Sequence, residues 1–427
     1  MKRLFLVEPL VALYAFANFL IYPLVQQYVY RRIWLQVTNT TYPISDNTSS
    51  CLPNSNSSNE VQRQASLFSL YTEISSTVPS LVVTLILVAY SDQGGRKIPI
   101  IIPLIGTMIY TLAYLTVSYF ELNIYLLIGS SILSALCGGW GTFLGGCFAY
   151  IADLCKDDHQ KTLRMAGVDM MIGLLSGVAA ISSGYFLRAA GFNWPFLTSS
   201  FILFFNILYA IFILEETVKK TPNDAIISDG VPQCSAIKQM ICGVCQMPIG
   251  TSHRWKAVLA LLIISFTSFS FAYVGGLSTV ILYELKQPLC WTEILIGYGS
   301  ALSLTVFLTS FVGVSVFTYC GVPQLLIVLL GILSVISGMV MAAFAKTTLL
   351  MFTRIPMLLA IMPFSVLRAM MSKIVPKSEQ ALFAFLSFME SLTNNVSTGV
   401  FNSVYAATVA WFPGFVFLLS AGLCVIP

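Results

Sequence analysis

Charge is scarce in this sequence. Asp, Glu, Lys and Arg make up 9% of its 427 residues, and histidine occurs only as His159 and His253. So few charges cannot cover a water-soluble chain of this length, and 57% hydrophobic residues with a mean hydropathy of +0.84 lie far above soluble-domain norms. Also absent are a nucleophile–base constellation, a nucleotide-binding loop and the period-2 alternation of barrel strands. Cys242-x-x-Cys245 has no second pair or histidine at ligand spacing, which leaves it a weak metal or redox signal beside the reading of free thiols. An enzyme, a metal centre and an organic cofactor are therefore not expected. The net charge of +4 gives no support to nucleic-acid binding.

What the chain has in quantity is long apolar runs. A hydrocarbon core about 30 Å thick takes roughly 20 apolar residues per helix. Runs near 7–30, 67–90, 98–119, 124–152, 165–187, 195–214, 257–283, 292–318, 324–345, 349–372, 380–407 and 413–427 predict twelve membrane helices. The first run is too long for a cleavable signal and no cleavage site follows it. The last stops at Pro427 and is read as truncated, without its cytosolic tail. The polar stretch 216–256 divides the helices six and six. The expected units are a bundle over 1–215 with a non-cytosolic loop at 31–66, a cytosolic loop over 216–256, and a bundle over 257–427. Both histidines fall in the expected cytosolic loops, which excludes histidine as a proton site within the membrane.

Positive charge orients the chain. A cytosolic N-terminus puts fourteen Lys and Arg on the cytosolic side, against Arg31, Arg32, Arg63, Arg188, Lys286 and Lys346 on the other. The sequons at Asn39, Asn47 and Asn56 agree, since they serve only outside the cytosol; a fourth at Asn395 falls inside a helix. Of ten cysteines only Cys51 and Cys290 lie on the non-cytosolic side, either as a disulfide or as two free thiols.

The turn between the second and third runs reads YSDQGGRKIP. Asp92, Gly95, Arg96 and Lys97 match the loop Gly-x-x-x-Asp-Arg/Lys-x-Gly-Arg-Arg/Lys of the major facilitator superfamily, which this six-plus-six chain resembles. Val88 and Gln93 depart from it. The resemblance implies an all-α fold of two six-helix bundles and a latch, with Asp153 of CFAYIADLCK counted in it, that holds one conformation; the alternative is a plain topogenic charge cluster. Further blocks extend the likeness: PLVQQYVYRR at 23–32, LYELKQPLCW at 282–291, IGYGSA at 296–301, RAMMSKIV at 368–375 and FNSVYAATVAWFPGF at 401–415. These resemble the proton-coupled folate transporter family and are most similar to its lysosomal member. The resemblance implies a monomeric symporter in the lysosomal membrane that uses the proton as coupling ion. Its cargo would be lipophilic organic anions such as steroid conjugates and bile acids, moved to the cytosol. It also implies the Cys51–Cys290 pairing. A plasma-membrane folate or haem carrier and a non-transporting receptor are the alternatives.

A charge near the bilayer centre costs about 2.5–3.5 kcal/mol on insertion scales, so such residues have a task or a partner. Five are candidates: Glu73, Asp169, Arg354, Arg368 and Glu390. Carboxylates at several depths suit proton relay, and one proton crossing about two pH units yields about 2.7 kcal/mol. Asp169, in RMAGVD, stands where the family has its coupling acid, or else is an interfacial acid beside Arg164 or Lys161. Glu73 and Glu390 are proton sites or salt-bridge partners of an arginine. Arg354 and Arg368, fourteen residues apart, would share one helix face across a kink at Pro356 and Pro363. Arg368 recognises an anion, partners Asp169, or reaches the cytosolic surface. Tyr273 takes the place of the family's seventh-helix histidine, which turns the expectation away from folate. Gly141-x-x-x-Gly145 and Gly173-x-x-x-Gly177 read as close helix-packing sites.

Overall fold

Hydrocarbon offers the backbone no hydrogen-bond partners, so the apolar runs bond internally as helices. The computed structural model describes residues 7–42, 55–154, 158–216, 253–286, 289–345, 352–374 and 379–427, and some side chains near segment ends, Asp92 and Asp169 among them, lie outside that description. The helices are α1 Val7–Thr38, α2 Ser55–Gly94, α3 Lys97–Tyr119, α4 Leu126–Ala135, α5 Trp140–Leu154, α6 Asp158–Ala190 and α7 Asn193–Phe212. After the central segment come α8 His253–Ser278, α9 Val280–Leu285, α10 Glu293–Tyr319, α11 Gln324–Phe344, a 3-10 turn Pro356–Leu359, α12 Met362–Ile374, α13 Glu379–Thr408 and α14 Phe415–Leu423. With α4–α5, α8–α9 and the 3-10 turn with α12 each taken as one broken segment, these make the twelve expected crossings. Nine of them meet a length-and-composition test for spanning a membrane among the described residues.

Several sequence expectations need correction. The loop placed at 31–66 is shorter: α1 runs on to Thr38 and α2 begins at Ser55, so Arg31, Arg32 and Arg63 are helical and Asn56 falls in the first turn of α2. Polar residues extend both helices because a helix that leaves the hydrocarbon keeps its own hydrogen bonds. His159 and His253 likewise stand in the first turns of α6 and α8 rather than in loops. The run 124–152 breaks between Ala135 and Trp140, where Gly138 holds φ at +89°. A Cβ there would sit 3.2 Å from Leu87 and Thr142, so the break requires glycine. The seventh crossing breaks at Thr279, where Ser278 and Thr279 turn their hydroxyls back to the carbonyls of Gly275 and Gly276.

Arg354 and Arg368 do not share a helix face. Pro356 and Pro363 each lack an N–H donor, and the chain between the arginines winds through the 3-10 turn before α12 starts. The packing glycines differ too: a Cβ on Gly141, Gly145 or Gly177 would meet nothing within 4 Å, and one on Gly173 would make only ordinary contact with Phe307. Close approaches are found at other glycines, Gly184, Gly297, Gly331 and Gly414 among them. A small-x-x-x-small spacing marks a possible groove, and only the neighbour's position decides whether it is filled.

Between the halves, α6 packs along α10 and α2 along α13. One apolar cluster, with Tyr14, Phe143, Tyr150 and Leu203, lies within the first half. A larger one joins Tyr30, Trp34 and Phe68 of the first half to Leu282, Trp291 and Tyr405 of the second.

Candidate functional site

The described polar contacts between halves gather at the end where α1 finishes and α10 begins. Arg31 pairs there with Glu293. Gln62 donates to the Leu282 carbonyl at 2.9 Å and accepts from the Tyr405 hydroxyl at 3.2 Å. Tyr185 and Tyr298 join hydroxyls across the α6–α10 seam. A Cβ on Gly184 would lie 2.6 Å from the Glu293 carbonyl oxygen, and one on Gly297 would lie 2.8 Å from that of Ala180. This end is closed.

At the opposite end the polar groups pair within the first half. Gly95, with φ at +122°, lies under the Glu216 carboxylate, and a Cβ there would come within 2.5 Å of Glu216 Oε2. Glu216 accepts the backbone N–H of Arg96 at 2.7 Å and of Lys97 at 3.2 Å, capping the start of α3 where the helix dipole favours an anion. Arg96 Nε donates to Asp153 Oδ2 at 2.8 Å, and Lys97 Nζ to the Ile211 carbonyl at 2.9 Å. Glu216 is not legible from the sequence, because a cap 120 positions away has no local pattern. Asp92, the expected bridge to the other half, has its side chain outside the described residues. Arg164 bonds Glu8 through Nε at 3.0 Å and Nη2 at 2.5 Å.

The intramembrane charges separate by environment. Glu73, near the middle of α2, is half-buried, within electrostatic reach of Tyr22 and Tyr110, and has no arginine partner among the described residues. Glu390 on α13 pairs with Arg368 on α12, and their side chains are 31% and 38% exposed. The Arg368 guanidinium lies over the Phe266 ring at 5.3 Å. Phe266, Phe269, Tyr273 and Phe364 form one edge-on and stacked aromatic group beside it. A cation that water can reach, seated on aromatic rings, suits an anion carried on an apolar body.

Arg354 has no such access. Its Nη2 bonds Glu284 at 2.7 Å and its Nε bonds Ser303 at 3.1 Å, with side-chain exposures of 7% for the arginine and 1% for the glutamate. Tyr273, also buried, shares a small cavity with Arg354, Ser303 and Thr353. Glu284 was missed in the sequence because it sits in a short helix at the end of an apolar run, where an acid passes for a loop residue. The side chain of Asp169 lies outside the described residues, as do Asn47, Cys51, Cys242 and Cys245. Asn39 is exposed just past α1 at φ +53°, and Cys290 is disulfide-bonded. Among the described residues no cluster of three or more His, Cys, Asp or Glu is placed to hold a metal.

Residues 9–392 match the family model described as Major Facilitator Superfamily. The chain is 44% identical to the lysosomal proton-coupled steroid conjugate and bile acid symporter SLC46A3 of Gallus gallus, over all of this chain and 93% of that one. To the Homo sapiens protein of the same name it is 43% identical with the same coverage. It is 33% identical to the proton-coupled folate transporter of Rattus norvegicus, over 99% of this chain and 90% of that one. Among solved structures it is similar in fold to the human organic anion transporter MFSD10, with a TM-score of 0.63, 12% identity and coverage of 100% and 98%. A D-xylose-proton symporter gives 0.61 at 14% identity, with coverage of 99% and 97%.

Proposed function

The chain belongs to the Major Facilitator Superfamily, and on that footing we propose that it is a proton-coupled symporter moving lipophilic organic anions, steroid conjugates and bile acids foremost, from lysosome to cytosol. The observation that carries the reading is Arg368: an accessible guanidinium on an aromatic ledge, with Glu390 as an internal counter-ion that a substrate carboxylate or sulfate displaces. Full-length identity of 42–44% to relatives named for that activity supports it. The buried Tyr273, set among rings, speaks against a proton shuttle at that position.

Asp169, Glu73 and Glu390 are the proposed proton carriers. A carboxylate in a low-dielectric surround takes up a proton more readily than in water, and Glu73, without a cation among the described residues, fits that role best. The positive-inside bias supports a luminal place for the closed end and a cytosolic N-terminus. Asn39, Asn47 and Asn56 are proposed glycan acceptors, and Cys51 the disulfide partner of Cys290. Asp92, Gly95, Arg96, Lys97 and Asp153 form the latch, with Glu216 as its anchor. The working unit is a monomer without cofactor.

The test is flux of labelled sulfated steroid into proteoliposomes under an inward proton gradient, with labelled folate as the second arm. Expected are steroid flux that collapses with a protonophore and loss of pH dependence in Glu73→Gln or Asp169→Asn. Folate flux with no steroid flux would replace the substrate, and ligand binding without pH-driven flux would make the protein a receptor.

A further inference from the structure

One contact that holds the closed end is of a kind that a proton can undo. Among the described residues Arg31–Glu293 is an ion pair between the two halves, whereas Arg63–Glu60, Arg96–Asp153, Arg164–Glu8, Arg354–Glu284 and Arg368–Glu390 stay within a half. Its side chains are 15% and 8% exposed, more than the 7% and 1% of Arg354 and Glu284. Arg31 belongs firmly to the first half: its guanidinium lies 5.3 Å from the rings of both Tyr42 and Phe192. Glu293 opens α10 in the second half, at the point where Gly184 and Gly297 bring α6 and α10 into backbone contact.

The closure also carries an unmet cost. Gln27 stands one turn before Arg31 on the same face of α1, is 1% exposed, and neither of its amide atoms has a hydrogen-bond partner. Arg31 Nε is buried without a partner as well. Groups of this kind are hydrated when the end opens, so they favour opening. The ion pair opposes them, together with the Gln62 and Tyr185–Tyr298 hydrogen bonds and the apolar packing between the halves.

We propose that Glu293 is a further proton-coupling residue of the transport cycle: taking up a proton from the compartment at this end, it releases Arg31 and lets the two halves part there. The sign is fixed by the pair. The ionised carboxylate holds the end shut, and that hold is lost as pH falls. Arg31 stays with Tyr42 and Phe192 when released, so the same contact re-forms on deprotonation. The charged and titratable groups beside Glu293 are Arg31 on α1 and Tyr42 beyond it, while Tyr185 and Tyr298 meet across the same seam and Arg188 lies exposed one turn past Gly184 on α6. Lys286, before α10, is directed to the Val409 carbonyl. This inference rests on the symport reading for its place in the cycle, while the latch itself does not.

The test reads the gap directly. Spin labels at Trp194 and Trp411, exposed residues of the two halves at this end, are placed in the full-length chain in lipid nanodiscs, and their distance distribution is recorded at acid and at neutral pH. The wild type should shift toward the long distance in acid by roughly tenfold in population, the equivalent of one charge-assisted hydrogen bond. Glu293→Gln should give the acid distribution at both pH values. If that variant folds poorly, Arg31→Gln removes the same pair from the other side and should also stay open. The exchange Arg31→Glu with Glu293→Arg should restore a closed, acid-released end, which a merely structural role would not do. A wild-type distance that ignores pH, or a Glu293→Gln protein that still opens only in acid, overturns the proposal. If labelled steroid flux proves independent of pH while the distance responds, the symport reading fails and the latch stands.

Discussion

Two ion pairs in the second half use the same chemistry in opposite settings. Arg354 and Glu284 are almost wholly enclosed, tie the broken seventh crossing to the start of the tenth, and have Ser303 of the eighth as a further partner. Arg368 and Glu390 are about one-third exposed and rest on an aromatic ledge. An enclosed pair cannot change partners without leaving a bare charge in a low dielectric, so it is scaffold. An accessible pair exchanges one partner for water or for a ligand at small cost, so it is able to serve as a site.

The largest expected effect breaks the enclosed pair. Arg354→Met alone should cost about 3–5 kcal/mol, seen as a lower Tm and poor recovery of folded protein, whereas Arg354→Met combined with Glu284→Leu should recover most of the loss. An equal loss in single and double variants would remove the distinction drawn above. Next, Arg368→Gln should leave Tm nearly unchanged and raise KM for an organic anion by roughly tenfold to a hundredfold, the worth of a charge-assisted contact. A large Tm drop with KM intact would put this pair in the scaffold too.

A smaller effect is expected at the seam. Gly184→Leu forces a side chain against the Glu293 backbone at a cost of about 1–3 kcal/mol in the closed state only. The open population should therefore rise about tenfold by the same spin-label distance. The smallest is Glu216→Ala, which removes the carboxylate cap of α3 at about 1 kcal/mol, read as a modest Tm shift with the substrate KM unchanged.

Much of the architecture was legible because lipid is a demanding solvent. Twenty apolar residues in a row have one solution there, and the twelve runs appear as twelve crossings. Breaks were harder to read. Gly138 lies among other glycines in the same run, and nothing local says which of them adopts a positive φ. Of the charged residues, the sequence identified Glu73, Asp169, Arg354, Arg368 and Glu390 as exceptional but not which arginine takes which acid. The expected shared face of Arg354 and Arg368 failed because two prolines turned a nominal helix into a 3-10 turn. Glu284, Glu216 and Glu293 were passed over since each sits at the edge of an apolar run, where a charge looks ordinary.

By itself the sequence determined how many times the chain crosses, its division into two halves and the family to which it belongs, since these follow from run length, composition and local motif. Which charges are paired, which remain open to water and which end of the molecule is shut was decided only by tertiary structure. Pairing depends on distances between residues tens to hundreds of positions apart, and a charge's cost or usefulness depends on the dielectric that those distant neighbours create around it.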